Sequence, residues 1–236
     1  MNNRAIAWIV RSGCSLRKPA LAALLTAEVL LLCIYGAMRL DPGLYVKAFD
    51  FDGERNVTAI FSAVQLVWIG GAIVSFMLVP GMVVPRLRRL AWAASAGFLF
   101  LGLDEYLEWH ERINTAIPGV RWLPLLKGGH GGWIPAYLLI SAALALLFLR
   151  PALEAARLHP KPAALFLAGL MTAFVGSAGF EIIAFQFLDL GMKDPAYPFA
   201  VAAEEFLEMA GASLMLFAVL TFGEQAFPAS APDGKT

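Results

Sequence analysis

The sequence predicts an all-α integral membrane protein, a bundle of six transmembrane helices with both termini cytoplasmic. Three observations predict it. Of the 236 residues, 59% are hydrophobic and 15% charged, against roughly 25% charged in soluble domains, and mean hydropathy is +0.69. Apolar runs of about 20 residues, the length that crosses hydrocarbon, recur along the chain. Lys and Arg gather in alternate connections. This composition excludes a soluble enzyme, a disordered chain and a disulfide-stapled secreted domain. The balance of 18 basic and 18 acidic residues, without a basic stripe, excludes a nucleic-acid partner.

The runs bounded by charge or Gly/Pro fall at 20–38, 57–80, 90–113, 133–150, 163–188 and 198–222. They divide the chain into a cytoplasmic N-terminal segment (1–19), a transmembrane domain (20–222) and a cytoplasmic C-terminal tail (223–236). Arg4, Arg11, Arg17 and Lys18 precede the first span. Arg86, Arg88 and Arg89 follow the second, and Arg150, Arg157 and Lys161 the fourth. The other connections mix Arg39, Lys47 and Arg55 with Asp41, Asp50, Asp52 and Glu54 or carry few charges. The positive-inside rule then places the basic connections in the cytoplasm of a bacterial inner membrane. Ile6 to Val10 is too short for a signal-peptide core, so the first span is read as an uncleaved anchor. Cys14 lies in the tail and Cys33 in the first span, too far apart for a disulfide.

Nine acidic residues fall within these spans: Glu28, Asp104, Glu105, Glu108, Glu111, Glu181, Glu204, Glu205 and Glu208. Each costs about 2.5–3.5 kcal/mol near the bilayer centre, so the set demands protons, hydration or bound cations. At 1.5 Å per residue most lie roughly 5–15 Å below the outer surface, with Glu28 slightly deeper. Thr58, Ser62 and Gln65 fall at a similar level. At 100° per residue, Asp104, Glu108 and Glu111 share an arc of about 60°, and Glu204 and Glu208 lie about 40° apart. His110 projects about 120° away from Asp104, towards the side of Tyr106.

Carboxylates facing one another across helices hold di-iron or di-manganese centres in bundles, and their hard oxygens also suit Mg²⁺, Ca²⁺ and Zn²⁺. The Glu-x-x-His spacing of ferritin-like sites is absent. Glu108-x-x-Glu111 and Glu205-x-x-Glu208 stand in its place. His130 lies in the Gly-rich loop Lys127–Trp133, where it reads as a loop residue or as part of a lid, with Trp122 and Trp133 as interfacial anchors. His159 falls on the cytoplasmic side. Gly70, Gly71, Gly97, Gly102, Gly169, Gly176, Gly179 and Gly211 read as helix-packing faces. The sequence holds no phosphate-cradling Gly loop, no Ser/His/Asp spacing, no Cys pair for a metal and no His pair on one span for haem.

The strings Leu103-Asp104-Glu105-Tyr106-Leu107-Glu108-Trp109-His110-Glu111 and Glu204-Glu205-Phe206-Leu207-Glu208-Met209 resemble acidic signatures of uncharacterised prokaryotic multipass membrane proteins. The resemblance covers two helices and implies no activity. It implies a functional core of Asp104, Glu105, His110, Glu111, Glu204, Glu205 and Glu208.

The expected site is therefore a divalent-metal site of Asp104, Glu108, Glu111, Glu204 and Glu208. Glu105, His110, Glu181, Glu205, Gln65, Glu28 and His130 are the surrounding shell or additional ligands. In an enzyme, a metal ion (Fe, Mn, Zn, Mg or Ca) would activate water or oxygen against a hydrophobic small-molecule substrate entering from the bilayer. The rival is a proton- or cation-coupled transporter. A third reading is an accessory subunit whose acids pair with a membrane-protein partner.

Overall fold

The computed structural model describes residues 3–53, 55–110, 112, 131–188 and 194–227. No strand occurs among the described residues. The principal helices are α1 (Asn3–Ser15), α2 (Arg17–Leu40), α3 (Val57–Leu78), α4 (Arg88–Leu107), α5 (Trp133–Leu158), α6 (Pro160–Phe187) and α7 (Tyr197–Ala226).

The bundle has a basic end and an acidic end. At the basic end Arg17, at the start of α2, forks onto Glu224 near the end of α7, with both N–O distances 2.5 Å. Arg86 pairs there with Glu154 of α5, and the His159 ring lies 4.7 Å from that of Phe222. α2 thus starts and α7 stops at the same end of the bundle.

Among the described residues five helices, α2, α3, α5, α6 and α7, are long and apolar enough to cross a membrane. The third expected span requires correction. Its helix stops at Leu107 instead of running to 113, and Asp104 and Glu105 in its last turn lower its hydropathy. Glu108 follows in the left-handed region, at φ 56° and ψ 39°, a conformation that ends a helix.

α7 is the central helix, burying Met209, Gly211, Ala212, Ser213, Leu216 and Val219 among others. In lipid, close van der Waals packing holds helices together, and small residues permit it. A Cβ on Gly169 would lie 2.7 Å from the Gly211 carbonyl oxygen, and one on Gly211 only 2.5 Å from the Ala173 nitrogen. A Cβ on Gly71 or Gly97, both expected on packing faces, would instead meet nothing within 4 Å. α3 packs against both α4 and α7. α5 is peripheral: it buries Ile134 alone, and its middle, residues 138–147, is exposed on every side.

The connection between α2 and α3 folds over the acidic end. Asn56 caps α3, its Oδ1 accepting from the Ala59 N–H at 2.7 Å and from the Thr58 hydroxyl at 2.6 Å. Arg39 donates to Asp50 at 2.6 Å, Phe51 stacks on Tyr35, and the Tyr197 hydroxyl donates to Asp52 at 2.8 Å. Cys14 is buried, Cys33 is exposed and both are free.

Candidate functional site

The acidic side chains of α4, α6 and α7 collect at the acidic end in two groups. The first centres on buried Asp104. Its Oδ1 accepts the His110 backbone N–H at 3.0 Å, and its Oδ2 lies 3.2 Å from His110 Nδ1. The Tyr137 hydroxyl of α5 donates to the same Oδ2 at 2.8 Å. His110 thus folds back onto Asp104, contrary to the 120° separation expected of a continuous helix. The break at Glu108 is the reason, since the 100° periodicity ends at Leu107.

Next to this group, Trp133 Nε1 donates to Glu181 Oε2 at 2.7 Å. The Trp133 ring packs edge-on against Tyr137 at 5.5 Å and against His110 at 5.7 Å. One face of α5 therefore clasps α4 through Tyr137 and α6 through Trp133. Glu181 sits between two π-helical stretches, Val175–Phe180 and Ile182–Phe187. Such wide turns occur mostly as isolated bulges and are frequent at functional sites.

The second group surrounds Glu208. The strongest charge effects on it come from Glu105 of α4, then Glu205 and Glu204 of α7, then Glu181 of α6. Glu204 in turn feels Glu205, Glu181, Asp52 and Glu105. Glu105 of α4 thus contributes to the charge around both acids, whereas the hydrogen bonds of Asp104 go to His110 and Tyr137. Gly176 brings α6 against α7 at this level: a Cβ there would lie 2.9 Å from both the Glu204 carbonyl oxygen and the Glu208 nitrogen.

Glu108 keeps one carboxylate oxygen, Oε1, buried without a hydrogen-bond partner. Glu28 and Gln65 join a separate buried triad with Ser213, on another side of α7. Glu111 and His130 lie outside the described residues. Among the described residues, no three His, Cys, Asp or Glu side chains are grouped closely enough to hold a metal ion.

Sequence reasoning missed Tyr137 and Ser213, and took Trp133 only for an interfacial anchor. The available signal was the Trp133/Tyr137 spacing of four, which puts two aromatic residues with polar tips on one helix face.

The fold defines an all-helical protein of membrane type with a layer of acids at one end. Residues 19–222 match a domain of unknown function (DUF8692), and the chain belongs to that family. No curated protein and no solved structure matches the chain.

Proposed function

We propose that this is a six-pass membrane protein, its basic end in the cytoplasm of a bacterial inner membrane, that binds a divalent cation in the acidic layer. Glu204 and Glu208 are the central ligands, with Glu105 and Glu181 beside them. Asp104 at the end of α4, and Glu108 and Glu111 after it, supply further oxygens, and His110 a nitrogen. The observation that carries this reading is Glu208, a half-buried carboxylate whose main charge neighbours, drawn from three helices, are all acids. A cation offsets both their repulsion and their desolvation, and hard oxygen donors suit Mg²⁺, Ca²⁺ or Mn²⁺. Binding would draw these carboxylates closer than they stand.

Elemental analysis of protein purified in detergent without chelator tests the reading. The expected result is near-stoichiometric divalent metal in the wild type and less in Glu208→Gln, which keeps shape but removes a charge. Wild-type protein free of metal overturns it.

One observation favours a second reading, proton- or cation-coupled transport. The π-helical turns flank Glu181 where α6 meets Glu204 and Glu208, and such a segment can switch its turns as the acids bind and release a cation. Reconstituted vesicles would then show cation flux whose pH dependence changes in Glu208→Gln.

A further inference from the structure

The α2–α3–α7 interface holds a polar site apart from the acidic layer. Glu28 and Ser213 are fully buried, and Gln65 nearly so. Glu28 Oε1 accepts from Gln65 Nε2 at 2.9 Å and from the Ser213 hydroxyl at 2.6 Å. Gln65 Nε2 also reaches Ser213 Oγ at 2.8 Å and the Met209 carbonyl at 3.3 Å. The other oxygens, Glu28 Oε2 and Gln65 Oε1, have no hydrogen-bond partner, and neither does Ser62 Oγ one turn away on α3.

This asymmetry has a chemical reading. A buried carboxylate seeks donors on both oxygens, whereas a carboxylic acid accepts on its carbonyl oxygen and donates from the other. Both donors fall on Oε1, the pattern of a carboxylic acid whose hydrogen is on Oε2, and two unpartnered acceptors, Gln65 Oε1 and Ser62 Oγ, belong to the same polar face. Thr58, Ser62 and Gln65 form one buried stripe of α3, spanning about 10 Å at 1.5 Å per residue. Thr58 ends the stripe on the Asn56 cap beneath the α2–α3 connection. Hydroxyls one turn apart are too far for direct relay, so transfer along them requires bridging waters, each needing about two to four polar partners.

We infer that Glu28 is a proton-binding site inside the membrane domain, reached from the acidic end along Thr58, Ser62 and Gln65. A proton from water forms the O–H bond at Glu28 Oε2 and leaves by the same route. Each hydroxyl and bridging water on the way accepts one proton as it gives up another, while the Gln65 amide only orients the last of them by hydrogen bonding, so nothing is oxidised or reduced. The titratable and charged groups around the interface are few. α2 carries Tyr35 and Arg39 towards the acidic end, α3 presents no ionisable side chain, and on α7 Glu208 adjoins Met209 but belongs to the acidic layer.

Infrared spectroscopy of the full-length protein in lipid tests this. The wild type should show the carbonyl stretch of a protonated carboxyl that is lost in Glu28→Gln. That band should shift down in D₂O, about tenfold more slowly in Ser62→Ala, as a barrier raised by about 1.4 kcal/mol requires. Spectra of wild type and Glu28→Gln that coincide in this region overturn the site. A band that exchanges equally fast in Ser62→Ala overturns the route. If Glu28→Gln does not assemble, Glu28→Asp replaces it, and an unmoved band counts against the proposal. Chelator should leave the band unchanged, which separates this site from cation binding at Glu208.

Discussion

Asp104 holds His110 twice, accepting its backbone N–H at 3.0 Å on one oxygen and standing 3.2 Å from its ring Nδ1 with the other. One carboxylate therefore fixes the turn that ends α4 and, through Tyr137, anchors α5. Hydrogen bonds to charged groups contribute about 1.5–3 kcal/mol each, and contributions within one network do not add in full. Asp104→Ala should destabilise the protein by about 3 kcal/mol. Asp104→Asn, which keeps one acceptor, should cost about 1 kcal/mol. Denaturant unfolding in detergent reads both, and an Asp104→Ala protein as stable as wild type would remove this staple from the account.

How much of this was legible in the sequence follows from which quantities bilayer and helix fix. Bilayer thickness sets span length, so five of the six spans read from the sequence coincide with membrane-length helices among the described residues. Facing was not. It rests on 100° per residue, which fails after the left-handed Glu108 and again in α6, where π turns shift the register around Glu181. His110 consequently meets Asp104 instead of projecting about 120° away from it. Ser213 was hidden because a serine beside Gly211 and Ala212 looks like one more small packing residue.

Close approach of α6 and α7 at the acidic layer makes a second prediction. In Gly176→Ala the new methyl meets the Glu204 carbonyl and the Glu208 nitrogen at 2.9 Å, backbone atoms that cannot step aside. The helices must separate, at about 1–3 kcal/mol, carrying Glu204 and Glu208 with them. Gly36→Ala is the control: nothing lies within 4 Å of its Cβ, and alanine should stabilise α2 by about 0.5–1 kcal/mol. Melting temperatures that move together in the two variants would contradict the contact.

A third prediction concerns pH at the basic end. Burial, with Glu224 nearby, pushes the Cys14 thiol from 9.0 up to about 11. The folded chain thus holds this proton more tightly than the unfolded one. Its stabilisation is present in full below about pH 9 and is lost as pH rises through about 11, amounting to about 2–3 kcal/mol at roughly 1.4 kcal/mol per pH unit. Between about pH 8 and 11, wild type should lose more thermal stability than Cys14→Ala. Parallel losses in the two proteins would show that the thiol does not titrate in this range.

The last prediction separates stability from function at Glu108. A side chain in the left-handed region costs roughly 1–2 kcal/mol, and this one also leaves a buried carboxylate oxygen without a partner. Both costs disappear in Glu108→Gly, which should be about 1 kcal/mol more stable than wild type despite glycine's greater loss of chain entropy. Glu108→Ala removes the carboxylate but keeps the strain, so it should fall below Glu108→Gly by about 1 kcal/mol. Equal stability of the two variants would mean that the backbone is unstrained. If Glu108 is one of the cation ligands, both variants should bind less metal than wild type although one of them is more stable. That pairing would explain why a glutamate stands where glycine fits better. Metal content unchanged in both would remove Glu108 from the ligand set while leaving Glu204 and Glu208 in it.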